Sequence, residues 1–166
     1  MAGGPLRETV DLSAHPDLVV IYLGMRVSSL RGLPTVMKLG PQIDKAVAGH
    51  PPGLLRHERL FFSPRHVAMR QYWHDFDTLE AWTRTLPHKT WWRDFLRDPH
   101  GTGFWHETYA LRGGIEAVYI DMPPLGLGAV APRHPARGSL FSARRRLARQ
   151  GDVPEPIVAE ADLPTV

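Results

Sequence analysis

The chain has no cysteine among its 166 residues. Disulfides, thiolate nucleophiles, thiolate metal sites and iron–sulfur clusters are therefore excluded. It also lacks a long apolar run. The longest, from Leu18 to Met25, falls far short of the ~20 residues that cross a bilayer. No charged stretch followed by an apolar segment opens the chain, so a cytoplasmic protein that avoids membranes is the expectation. Excess charge is missing too. Residues 1–122 carry 14 basic and 13 acidic residues, and residues 123–166 carry 6 arginines and 4 acidic residues. With so little net charge on the part that folds, no nucleic-acid partner is expected. Signature motifs are absent as well. There is no GxGxxG after a strand and no phosphate loop, which argues against a nucleotide cofactor. There is no HExxH and no GxSxG. His57, His66, His74 and His88 have no metal-ligand spacing in sequence and would have to converge in space, so no metal is expected.

What is present is an ordinary soluble composition, 43% hydrophobic and 22% charged, in a chain long enough to bury a real core. Alternation marks Leu18–Val27 as a strand, with Val19, Ile21, Leu23, Met25 and Val27 on one side and Tyr22 and Arg26 on the other. Arg26 at the strand end either closes a pocket or is solvated. Pro34 opens a helix to about Ala48, with Val36, Leu39, Ile43 and Val47 at helical spacing. Leu54–Phe62 and His66–His74 are predicted to form a hairpin around Ser63-Pro64-Arg65. A helix capped by Asp77, with Glu80 three residues on, runs to Leu86. After Pro87 a second helical piece, His88–Leu96, carries Trp91, Trp92 and Phe95. Strands Phe104–Leu111 and Ile115–Met122 close the pattern. The order β-α-β-β-α-β-β predicts an α+β protomer with a ferredoxin-like split-βαβ layer. The sheet face without helices suits a second copy, so a homodimer is expected. Residues 1–16 read as a loose arm, 17–130 as the domain and 131–166 as a tail. In that tail Ser139–Gln150 reads as a basic helix, with its arginines solvated, and Val153–Val166 as a mobile acidic segment.

The stretch Phe104-Trp105-His106-Glu107-Thr108-Tyr109 concentrates the chemistry. On a strand His106 and Glu107 point to opposite faces, so they cannot serve one substrate atom together. His106 is preferred for the pocket, because imidazole transfers protons near neutral pH. His88 follows a helix break and shares a face with Trp91 or Trp92, which suits a pocket wall or an axial haem ligand. The aromatic excess suggests a flat, apolar ligand. Each of these side chains has a plain structural role as its alternative.

Ile21-Tyr22-Leu23-Gly24-Met25-Arg26, Gln71-Tyr72-Trp73, His88 with Trp92 and Phe95, Trp105-His106-Glu107-Thr108-Tyr109, and Tyr119-Ile120-Asp121-Met122-Pro123 up to Gly126-Leu127-Gly128 occur in this order. Together they resemble the monooxygenase-like family that includes the fumagillin-pathway antibiotic-biosynthesis-type monooxygenase, of the dimeric α+β barrel superfamily. The resemblance covers residues 17–130. It implies protomers paired through their sheets and a cavity between sheet and helices. It also implies oxygenation of an aromatic, polyketide or terpenoid-like substrate in secondary metabolism, with no cofactor. In that scheme His106 or His88 is the base, and Arg26 with Trp105 or Trp92 holds an oxyanion. Tyr72 and Tyr109 orient the substrate, with Tyr22, Trp73 and Glu107 lining the site. The same superfamily holds haem proteins, so haem on His88 or His106 is the alternative. A non-catalytic small-ligand-binding dimer is the third reading.

Overall fold

The computed structural model describes residues 9–125, 127–130, 132–147 and 159. Its frame is a five-stranded sheet in the order β2-β3-β1-β4-β5, with every neighbouring pair antiparallel. The strands are β1 (Val19–Val27), β2 (Leu54–Ser63), β3 (His66–Trp73), β4 (Thr102–Ala110) and β5 (Gly114–Ile120). Helix α1 (Leu33–Ala48) links β1 to β2, and α2 (Phe76–Thr83) and α3 (His88–Arg97) link β3 to β4. This is the predicted α+β split-βαβ layer with an added edge strand.

Alternation along β1 decides the two faces of the sheet. Val19, Ile21, Met25 and Val27 are buried on one face. Cross-strand register puts Trp73, Gln71, His106, Thr108 and Glu116 on that same side. The helices cover it, and a core of Val19, Ile21, Trp73, Phe76 and Leu79 forms between the layers. Burial of such side chains contributes roughly 1.5–3 kcal/mol each. The predicted stripe of α1 turns inward, with Ile43 buried and Val36, Leu39 and Val47 half-buried. The opposite, open face carries Tyr22, Arg70, Tyr72, Trp105, Glu107, Tyr109 and Tyr119. Gly24 interrupts β1 there for a reason of space. A Cβ at that position would lie 2.6 Å from the Trp105 indole nitrogen.

Two local expectations change. The cap of α2 is Asp75, whose carboxylate accepts the Thr78 backbone N–H at 2.7 Å. Asp77 lies within the first turn, because the chain enters the helix two residues earlier than the Asp77–Glu80 spacing suggests. The predicted basic helix 139–150 is shorter. A 3-10 turn at Gly138–Leu140 leads into a four-residue helix, Ala143–Arg146. Here it is called α5, after the short helix α4 (Leu127–Val130). Far from being a solvated run, this segment packs on the helical side: Leu147 is 9% exposed and joins the core cluster. Residues 148–150, and the acidic 153–166 apart from Ala159, lie outside the described residues. Among the described residues no helix is long and apolar enough to cross a membrane.

Candidate active site

The sheet divides the predicted site residues into two sets. On the helical side β4 presents Phe104, His106 and Thr108, and α3 lies above them. Trp92 packs against Phe104 with ring centroids 5.3 Å apart, Phe95 lies 5.8 Å from Phe104, and Phe104 lies 6.0 Å from the His106 ring. His88 opens α3 between Trp82 (5.0 Å) and Trp91 (6.3 Å). None of these rings is fully buried, and α3 buries no residue at all despite its aromatic face. A helix packed tightly on a sheet would enclose such rings. Here the rings of Trp92, Phe95 and Phe104 stay partly exposed beside His106.

His106 is held by Glu116, its diagonal neighbour on β5. Glu116 Oε1 lies 2.9 Å from His106 Nε2 and accepts the Thr108 hydroxyl at 2.5 Å. Arg146, from α5, pairs with Oε2 at 2.8 Å. The Glu116 side chain is wholly shielded from solvent. Burial alone would raise its pKa. The charges of His106 and Arg146, with the hydrogen bonds from His106 and Thr108, outweigh burial and hold the carboxyl at about 2. Glu116 is therefore a carboxylate at all ordinary pH values. It accepts only, so it favours the His106 tautomer with the proton on Nε2, although the 2.9 Å approach is not aligned as a hydrogen bond; that tautomer leaves Nδ1 to take a proton from a substrate.

His88 is the second base candidate. Its Nδ1–H donates to the Thr83 carbonyl at 3.0 Å. Burial pushes its pKa down to about 4, with a smaller push from the charge of His106 and an opposing pull from the Thr83 carbonyl. The ring is thus neutral near pH 7, with its Nε2 lone pair available. A depressed histidine means that the unfolded chain binds a proton near pH 6.5 which the folded chain refuses until about pH 4. Stability contributed by the neutral ring is complete above pH 6.5 and is lost as pH falls through that window. His88→Phe should flatten this decline, by up to about 2–3 kcal/mol between pH 6.5 and 4. Urea unfolding at several pH values measures it, and parallel curves for the two proteins would refute it. Glu116 does not blur the comparison, because its own contribution is lost only below about pH 4.5.

Apart from Trp73, the remaining predicted residues stand on the open face, across the sheet from His106 and His88. Val20, Tyr22, Phe62, His66, Tyr72, Trp105, Glu107, Tyr109 and Leu125 line a concavity of about 740 Å³ there. Glu107 is 5% exposed and accepts hydrogen bonds from the hydroxyls of Tyr109 (2.6 Å) and Tyr119. Burial, reinforced by that carboxylate, raises both phenols, Tyr119 to about 12. They stay protonated donors. The Trp105 indole donates to His66 Nε2 at 2.9 Å rather than to any oxyanion near His106. Arg26 is exposed at the end of β1 on this face. Of the expected oxyanion holders only Trp92 lies on the side of His106. Trp73 is 0% exposed, and its indole donates to Gln71 at 3.1 Å. It is a core residue, not a substrate contact. Its position is foreseeable, because Trp73 pairs with Val19 of the buried β1 stripe. Among the described residues no three histidine, aspartate or glutamate side chains gather as metal ligands. His57 and His66 lie on opposite faces of the sheet.

Residues 18–127 match the family described as monooxygenase af470-like. The chain belongs to that family. Membership supports a general oxygenase-type function. Solved structures with a similar fold include a conserved protein of unknown function from Bacteroides thetaiotaomicron, described as a possible oxidoreductase. It is 11% identical, with a TM-score of 0.46, over 57% of this chain and 98% of its own. Another is SnoaB, a cofactor-independent oxygenase from Streptomyces nogalater, at 18% identity and TM-score 0.41, over 56% of this chain and 91% of its own. An aldoxime dehydratase, OxdRE, is 21% identical with a TM-score of 0.45 over 72% of this chain, which spans only 35% of that enzyme. No curated protein matches the chain significantly.

Proposed function

We propose that this monooxygenase-family chain binds a flat, apolar molecule of aromatic, polyketide or terpenoid type between α3 and β4. It would oxygenate that molecule with dioxygen, using His106 as the base. The observation that supports this reading is the half-exposed layer of Trp92, Phe95 and Phe104 beside an imidazole whose far nitrogen is held by Glu116. Rings of this kind stack on flat substrates and keep water away. His106 Nδ1 removes a proton from an activated methylene. The carbanion passes electrons to dioxygen, a C–O bond forms, and the imidazolium returns its proton to the peroxide. Cleavage of the O–O bond with loss of the second methylene hydrogen releases water and leaves a carbonyl. One dioxygen is thus consumed per carbonyl formed, and the substrate is the only reductant. Glu116 balances the positive charge that the ring carries between the two proton transfers.

An oxygen electrode with polycyclic substrates bearing a methylene between aryl rings tests this directly. Uptake should match the carbonyl product one to one without added flavin, metal or reductant. Product formed only when a reductant is supplied would sink the substrate-as-reductant step.

Haem is the second reading, and one observation favours it: His88 is neutral and its Nδ1 is fixed on a carbonyl, which leaves Nε2 as the atom that would hold the iron. Haem iron would supply redox chemistry at that nitrogen, with Trp82 and Trp91 flanking the ligand. A Soret band on adding haemin, lost in His88→Ala, would put this reading ahead. Pairing of two copies through the open face also belongs to the proposal. Phe62, 57% exposed, and the half-buried Tyr22 and Tyr72 would then be covered. Light scattering should give twice the protomer mass, and a monomer at micromolar concentration would refute the pairing.

A further inference from the structure

The family match ends at residue 127, but the helical layer continues beyond it. Successive helical residues turn by about 100°, so side chains two apart point in nearly opposite directions. In α5 this lets Arg144 and Arg146 grip different elements. Arg144 donates to Glu80 at 2.7 and 3.0 Å and to Asp77 at 2.6 Å, all on α2, and lies over the Phe76 ring. Arg146 reaches β5. Its Nε and Nη2 lie 2.9 and 2.8 Å from Glu116 Oε2, and its Nη1 donates to the carbonyls of Leu140 and Phe141. Its side chain is 12% exposed.

A carboxylate has two equivalent oxygens and a soft terminal torsion. Left alone, Glu116 could offer either oxygen, at a range of angles, to the imidazole. A guanidinium fork on Oε2 removes that freedom and leaves Oε1 for Thr108 and His106. The groups facing His106 are then Glu116 from β5, His88 from α3 and, behind Glu116, Arg146 from α5. We propose that Arg146 is a positioning residue for His106, acting through Glu116 from a segment outside the matched family span. This rests on the reading that His106 is the base.

The test uses the full chain with ¹⁵N-labelled histidine, whose ring nitrogen shifts report which nitrogen carries the proton. His106→Gln identifies the His106 signals. The native protein should show the Nε2–H form. Arg146→Gln should give a mixture of the two forms, with kcat reduced about tenfold and KM within about twofold. Arg146→Lys, which keeps the charge without the fork, should recover part of both. Adding Arg146→Gln to Glu116→Gln should change neither further. Arg144→Gln is the control. It loosens the same segment at α2 and should leave the His106 signals native. The proposal is overturned if folded Arg146→Gln keeps the native ring signature, or if Arg144→Gln disturbs it equally. If Arg146→Gln does not fold, Arg146→Lys carries the same comparison. A ring signature that responds as expected in a protein that turns over no substrate would sink the oxygenase reading and leave the positioning intact.

Discussion

Replacing His106 by glutamine should reduce turnover at least a hundredfold, within the roughly 10²–10⁴ that a positioned base contributes, while the protein stays folded. The two effects separate because of what each ring nitrogen does. Nε2 meets Glu116 at 2.9 Å, and the glutamine amide can offer an N–H to the same oxygen. Glu116 also keeps Thr108 and Arg146. Stability should therefore move by no more than about 1 kcal/mol, the net value of one hydrogen bond. Nothing replaces Nδ1, because an amide does not take up protons near neutral pH. Steady-state oxygen uptake and thermal melting of the same preparation give both numbers. A His106→Gln protein that retains turnover within threefold would transfer the chemistry to His88.

Glu116→Ala should be the most damaging change to the fold near the site, costing about 3–5 kcal/mol. The alanine removes the anion that faces Arg146, a guanidinium only 12% exposed, and His106 at once. It also orphans the Thr108 hydroxyl, 1% exposed. The lower end of the range applies if α5 peels away and returns Arg146 to water. Denaturant unfolding measures the loss, and amide exchange shows its form. Faster exchange confined to residues 143–147 means peeling, and faster exchange across β4 and β5 means that the charge stays in place. A loss below about 1 kcal/mol in denaturant would show that the carboxylate is not the anchor of this cluster. Glu116→Gln should cost less, because the amide oxygen still accepts from Arg146 or Thr108.

Much of this site is legible in the amino-acid order alone. Alternation along β4 separates His106 from Glu107, and the structure places them on the two faces. The element order carries the sheet topology, because a hairpin between two helices leaves few ways to arrange four strands. Glu116 is harder to pick out, although its signal is present. The turn Arg112-Gly113-Gly114 pairs Ala110 with Gly114 and hence Thr108 with Glu116. Counting back from that turn puts a lone acid diagonal to His106. Arg146 gives no such signal. It lies 30 residues from Glu116 in a stretch whose charge resembles a solvated tail, and only tertiary packing reveals its partner. The Asp75 cap is obscured for a local reason. Asp75 and Asp77 both precede a hydrophobic run, and the Glu80 that favours Asp77 is engaged by Arg144 instead.

The two-faced sheet has a consequence for how this protein can vary. In β4, positions 104, 106 and 108 look toward the helices, and 105, 107 and 109 look toward the open face. Consecutive codons therefore answer to different constraints, one set to whatever lies under α3 and the other to whatever meets the bare sheet. A substitution on one side leaves the other side's neighbours in place, so each face can drift without retuning its opposite. Deleting a single residue early in β4 is another matter. It would carry each side chain after it through the sheet, delivering a carboxylate where the imidazole stood and exposing the imidazole on the far side.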